Sequence, residues 1–460
     1  MIFKSDNVKA HWDTWAYYHE GTYYLYYLIT ERSAGEGFGV ATSKDGVHWH
    51  DHGWAIRESE RNLEFLGTGA VWKSPDFEKS GRFICNYSEH RKDATGRTTQ
   101  NILFAWSTDL IHWTEFGEDY IFKVDQRYYH IHGRWDCIFP MPRAEGGYWG
   151  TWTASESPDS GLSGIVGIGY SEDGLRWRAL PPPAVEPGTG ESGAFYRFGA
   201  KVYGMFGTSG QPRDGMWTYV ADDVRGPYKR ATKNGLLLNL WHTYFSRFLP
   251  TPDGVLVNHH SMSGARHFPT AEIMRHICYA APLKRAVVDN EGTLRFKYWE
   301  GNDALKGEEV EVFEPSANNT RSITDGLDIG TGIVAEATVR LPERPHVNPT
   351  TVRLQADAQD YEIRIFHDGS MQMGTVDSDG GNWEQQQLAD REWDFGGTAD
   401  LRLLVRRGML EAYLDDHFME CQRMDCPEAK QVRLGLPEKE DAGSIQGLRV
   451  WKMTLPGGET

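Results

Sequence analysis

Three acidic residues, Asp13, Asp136 and Glu191, occupy similar places in three separated, strand-like segments: Trp12-Asp13-Thr14-Trp15, Arg134-Trp135-Asp136-Cys137 and Glu191-Ser192-Gly193. Brought together, such carboxyls suit the cleavage of a glycosidic bond, in which one protonates the leaving oxygen and another attacks the anomeric carbon or activates water. Like charges in a water-poor site push their proton affinities apart, and this separates an acid from a base. Glu191 has the longer reach and suits the acid; Asp13 suits attack. Trp12, Trp15, Trp72 and Trp135 flank the acids and are candidates to stack on sugar faces or to pack between sheets. Arg134 is a candidate to bind hydroxyls or to pair with Asp136. His242, His259 and His260 could face the same site, but adjacent residues on a strand point to opposite faces, so at most one of His259 and His260 lines it.

The elements that must position these residues form a repeat. Ser43-Lys44-Asp45-Gly46-Val47-His48-Trp49 returns as Ser107-Thr108-Asp109-Leu110-Ile111-His112-Trp113 and again as Ser171-Glu172-Asp173-Gly174-Leu175-Arg176-Trp177, with the tryptophans 64 residues apart each time. In this sequence pattern the aspartates make turns, not chemistry. Ahead of each turn lies a strand pair such as His11–His19 with Thr22–Tyr27, joined at Glu20-Gly21 and rich in aromatic and β-branched residues. Aligning the first arms superposes Asp13, Thr68, Asp136, Glu191 and Thr243. Small sheets of this kind cannot each bury a face alone, but a radial arrangement gives them a shared core. The expected fold is all-β: a five-bladed β-propeller over residues 1–300, a linker at 301–312, and a β-sandwich over 313–460, where alternating strands such as Leu401–Val405 dominate. Glu89-His90-Arg91, at the end of a returning strand, is expected to be a solvated loop.

Composition narrows the partners. With a net charge of −17, the chain is repelled by phosphate backbones and anionic lipid, so no nucleic-acid or membrane partner is expected. Five cysteines without a regular framework fit a reducing compartment, and the amino-terminal stretch lacks an apolar signal core, so a cytoplasmic location is expected. No cofactor and no metal are expected.

On these residues the chain resembles glycoside hydrolase family 32, the β-fructofuranosidase family, within the wider group of five-bladed propeller glycosidases that includes family 43. Trp12-Asp13 matches the family's early aspartate, Arg134-Trp135-Asp136 its Arg-Asp-Pro segment, and Glu191-Ser192 its Glu-Cys pair. Leu66–Val71, with Thr68 at its centre, is similar to a substrate-binding segment of the second blade. Leu401–Tyr413 and Gly447–Met453 are similar to its sandwich strands. The resemblance implies Asp13 as nucleophile, Glu191 as acid/base, Asp136 as transition-state stabiliser, and substrate contacts from Trp12, Trp15, Thr68, Trp72, Arg134, Trp135 and His242. It implies a retaining hydrolase acting on a furanoside or small oligosaccharide. The sequence departs from the family at Thr14, Trp135 and Ser192, and Asp13 lies eight residues before the turn glycine Gly21, a spacing closer to family 43. Two other readings therefore compete: an inverting arabinofuranosidase of the family 43 type, and a carbohydrate-binding propeller without turnover.

Overall fold

A computed structural model describes residues 2–31, 35–57, 63–156, 164–186, 190–208, 215–231, 236–239, 243–262, 278–313, 324, 326–328, 330–345, 347–356, 360–376, 383–389, 396–424, 431–435 and 445–455. His242 lies outside the described residues. The chain is all-β and divides into two compact units. One holds Phe3–Ala281 and Ala286–Leu294; the other holds Met1–Ile2, Pro282–Arg285 and Arg295–Thr460.

The first unit is a five-bladed propeller. Blades I to III are four-stranded antiparallel meanders, beginning with Ala10–His19, Leu63–Lys73 and Trp135–Pro142. Blade IV begins with Glu191–Phe198 and blade V with Thr243–Thr251. These five leading strands contact one another around a ring, and blade V returns to blade I. Near the closure, Phe3 bridges Ala280. Aromatic and aliphatic side chains fill the wedges between blades: Trp15, Tyr26, Phe38 and Tyr87 between I and II; Trp72, Phe104, Trp135 and Trp152 between II and III; Phe195, Phe206, Trp217 and Tyr219 from III to IV.

The repeated turn has one construction in three blades. The serine hydroxyl donates to the aspartate (Ser43 to Asp45 at 2.9 Å, Ser107 to Asp109 at 2.9 Å, Ser171 to Asp173 at 3.0 Å). The same carboxylate then accepts two backbone N–H groups, from Val47 and His48, Ile111 and His112, and Leu175 and Arg176. These acids are spent on the backbone.

The second unit is a sandwich of two antiparallel sheets. Ile333–Arg340, Thr398–Arg406, Met409–Leu414 and Ile445–Met453 belong to one sheet; Thr350–Ala356, Asp360–Ile365 and Met371–Val376 belong to the other. Alternate residues face inward, so Leu401, Leu403 and Val405 meet Leu354, Tyr361, Ile363 and Met373 in one core. In residues 301–312, expected as a linker with a short helix, a short helix is present and a strand follows it. A 3-10 helix runs over Glu300–Leu305, and Lys306–Val310 is a strand that pairs with Ile445–Met453. Their charged composition reflects an edge strand, whose Glu308 and Glu309 pair with Lys452 and Arg449 across the ladder.

Candidate active site

Every leading strand of the propeller carries a register shift near its start. The pairing skips between Trp12 and Thr14, between Leu66 and Gly69, opposite Thr151 and Thr153, between Ser192 and Ala194, and between Tyr244 and Ser246. Such bulges re-aim side chains at the rim of a barrel or channel. Asp13 is itself the bulged residue, with a left-handed φ of 37°, and Cys137 adopts φ 31° on blade III. A non-glycine residue held there is strained, and the ladder around it must hold it in place. The bulges also correct the simple alignment of first arms. Asp13 sits on its bulge, Asp136 one residue ahead of Cys137, and Glu191 two residues ahead of Gly193. The three acids are therefore not at equivalent strand positions, although they converge.

Arg134 is the hub of that convergence. Its Nη2 donates to Asp136 Oδ2 at 2.7 Å and also to Glu191 Oε1. Ser88 Oγ donates to the other oxygen of Asp136. Burial pushes the Asp136 carboxyl up, but Arg134, Ser88 and His90 outweigh it and hold the group below its ordinary range. Asp136 is thus a fixed anion. Of the two roles expected for Arg134, the structure shows the pairing with Asp136, and it adds a bridge to Glu191.

Asp13 is held differently. Its Oδ1 is buried with no hydrogen-bond partner among the described residues, and His260 Nδ1 lies 3.8 Å from it. Burial raises its proton affinity to about 8; Arg247 and Arg134 act against this, while Glu191 and Asp136 reinforce it. Burial also keeps His260 neutral, well below the usual imidazole range. The expectation that at most one of the adjacent histidines lines the site agrees with this geometry: His260 approaches Asp13, and His259 is buried with its Nδ1 near the His260 carbonyl.

The tryptophans are placed by packing, the second of the two roles open to them. Trp15 is 2% exposed and stacks on Tyr26; Trp135 is fully buried against Phe122, Tyr129 and Trp152; Trp72 packs on Phe104 and Trp177. Trp12 is buried beside His260. Their rings fill inter-blade wedges because a radial fold needs large side chains there. Thr68 is buried and accepts from Arg247 Nη2 at 3.3 Å. Glu89-His90-Arg91 is no solvated loop: it is strand, with the Glu89 side chain buried and paired with Arg91. Ser88 and Arg247 were not singled out by sequence, whereas His260 was a candidate to face the site. Ser88 is two residues from His90 on a returning strand, and only the three-dimensional pairing brings it to Asp136.

Comparison with known proteins gives this geometry a context. Residues 15–188 match the Glycosyl hydrolases family 32 N-terminal domain. That stretch of the chain is thus similar to the family 32 propeller domain. The matched span includes Arg134 and Asp136 and stops just short of Asp13 on one side and Glu191 on the other. Among solved structures, the chain is similar to sucrose-6-phosphate hydrolase from Lactobacillus gasseri (TM-score 0.72, 15% identity, 98% of this chain and 94% of that one). It is similar to a GH32 β-fructofuranosidase from Bombyx mori (TM-score 0.70, 12% identity, 96% and 91%) and to exo-inulinase from Aspergillus awamori (TM-score 0.68, 13% identity, 99% and 97%). At these identities the likeness is one of fold. No curated protein matches the chain.

Proposed function

We propose that this protein is a glycosidase that hydrolyses a β-fructofuranoside-like substrate with retention of anomeric configuration. The observation that carries the proposal is the meeting of Asp136 and Glu191 on Arg134, together with a buried Asp13 whose proton affinity is raised while that of Asp136 is lowered. Double displacement needs one ionised and one protonated carboxyl. Asp136 stays charged through Arg134 and Ser88 and would hold the sugar hydroxyls and the developing positive charge. Asp13, on a strained bulge, would attack the anomeric carbon. Glu191 would donate its proton to the leaving oxygen and later take one from water. Similar folds support the substrate class: a Bombyx mori GH32 relative is described in complex with sucrose and a Cichorium intybus fructan 1-exohydrolase with 1-kestose.

Because the attacking carboxyl must be ionised, kcat/KM rises with pH across an acidic limb displaced from the ordinary carboxylate range toward about 8. The test is proton NMR of the first-formed product from nitrophenyl furanosides and short fructans. Retention supports Asp13 as nucleophile. Inversion would reassign Asp13 as general base of an inverting furanosidase.

A further inference from the structure

We infer that Thr153 is a positioning residue for the proposed reaction: from blade III its hydroxyl holds the peptide that follows Glu191 on blade IV, and so aims the Glu191 carboxyl at the leaving oxygen. The inference rests on the reading of Glu191 as acid/base.

Thr153 lies on the second strand of blade III, Tyr148–Ala154, and is 1% exposed. It stands opposite Asp136 in the ladder with the leading strand of that blade. Its Oγ1 accepts the backbone N–H of Ser192 at 3.0 Å, across the boundary to blade IV. A second contact follows the same seam: Ser192 Oγ donates to the Trp152 carbonyl at 3.5 Å. The Ser192 N–H belongs to the rigid peptide plane that leaves the Glu191 Cα, so holding it holds the backbone on which the Glu191 side chain is mounted. The need for such a hold is local. Glu191 is the first residue of its strand, and the ladder just beyond it slips between Ser192 and Ala194. Pairing is disrupted at a bulge, and a partner on the neighbouring blade adds the restraint that the ladder lacks there.

Thr153 is itself held. A β-branched side chain is stiff at its first torsion, and its methyl packs against the backbone at Gly164, where a Cβ would lie 2.7 Å from Thr153 Cγ2. Gly164 in turn donates to the Gly190 carbonyl at 3.0 Å, one residue ahead of Glu191. Two residues along from Thr153, Ser155 repeats the device for the other end of the acid–arginine pair. Its Oγ accepts the Arg134 N–H at 2.9 Å, and its carbonyl accepts the His130 N–H at 2.9 Å. The Arg134 guanidinium then donates to Asp136 and Glu191. One segment thus has Asp136 as its ladder neighbour and sets, through two hydroxyls, the backbone of Arg134 and of Glu191. A hydroxyl that only satisfied a buried N–H would affect every substrate alike; one that aims an acid affects the substrates that need a proton.

The experiment compares Thr153→Val, Thr153→Ser and Thr153→Cys with the parent chain and with Glu191→Gln, reading kcat/KM on two substrates. One is a furanosyl fluoride, whose leaving group departs without a general acid; the other is a short fructan, whose alcohol leaving group needs one. Thr153→Val keeps the side-chain volume and loses the acceptor. It is expected to lower kcat/KM on the fructan at least about tenfold more than on the fluoride, in the same direction as Glu191→Gln. Thr153→Ser, which keeps the hydroxyl, restores the parent ratio. An equal fall on both substrates, or no fall, in folded Thr153→Val overturns the inference, and so does a ratio in Thr153→Ser as low as that in Thr153→Val. If Thr153→Val does not fold, Thr153→Cys decides, because its thiol is a weaker acceptor in the same place: a lowered ratio supports the inference and an unchanged one overturns it. If Glu191→Gln itself falls equally on both substrates, or the parent turns over neither, the functional reading fails and the inference with it. If Glu191→Gln separates the substrates and the Thr153 variants do not, the inference fails alone.

Discussion

The propeller and the sandwich both bury charged side chains, but they treat them differently. In the sandwich unit, Lys284 Nζ donates to both oxygens of Glu411, at 3.0 and 3.2 Å, and Tyr413 adds a hydrogen bond at 2.7 Å. Lys284 and Glu411 side chains are fully buried, one cation to one anion. In the other sheet a buried carboxylate is likewise fully paired: Glu362 accepts from Arg353 on one oxygen and from Arg364 on the other. In the propeller channel two carboxyls, Asp136 and Glu191, share Arg134, and one carboxyl oxygen of Asp13 is buried without a hydrogen bond among the described residues. A matched buried pair serves specificity of folding, since leaving either partner alone is costly. An unmatched one stores proton affinity, which a stable fold does not need but acid–base chemistry does.

That contrast can be broken at either end. The largest effect is expected for Asp13→Asn, which should lower kcat by at least about 10³-fold while leaving the melting transition close to the parent's in acid, where Asp13 is neutral, because no hydrogen bond to Oδ1 is lost. Steady-state kinetics beside calorimetry reads both. Lys284→Met should do the reverse. It strands a buried Glu411 carboxylate and should cost about 3–5 kcal/mol in denaturant unfolding, with Glu411→Leu in the same background recovering much of the loss. Burial lowers the Lys284 proton affinity, and Glu411 opposes this.

The smallest effect sharpens the comparison through pH. Native Asp13 keeps its proton up to about 8, whereas an ordinary aspartate loses it near 3.8. Between those values the native state binds the extra proton, so the contribution of Asp13 to stability is full below the lower value and is lost as pH rises through the upper one. Asp13→Asn should remove that slope. Melting curves at several pH values should therefore show the substituted chain gaining on the parent as pH rises across this window.

The sequence carried the fold further than it carried the site. The 64-residue return of the Ser-x-Asp turn and the alternating strands of Leu401–Val405 are periodic, and periodicity survives in sequence. The three acids were legible because each sits in a short, distinctive segment. Their relative register was not, because a bulge is one extra residue in a ladder, visible only when the partner strand is known. The tryptophans were ambiguous for a related reason: a ring that stacks on sugar and a ring that wedges between blades have the same neighbours in sequence. Thr153, in Gly150-Thr151-Trp152-Thr153-Ala154, lies in an unremarkable strand. Its meaning comes from Ser192, which is far away along the chain.

The most direct measurement is a trapping experiment. Glu191→Gln is incubated with an activated furanoside whose leaving group needs no acid, and the intact and digested protein is weighed by mass spectrometry. The account predicts a glycosyl adduct on the peptide containing Asp13, released on adding azide. Turnover of the activated substrate with no adduct on that peptide, or an adduct on Asp136, would contradict it.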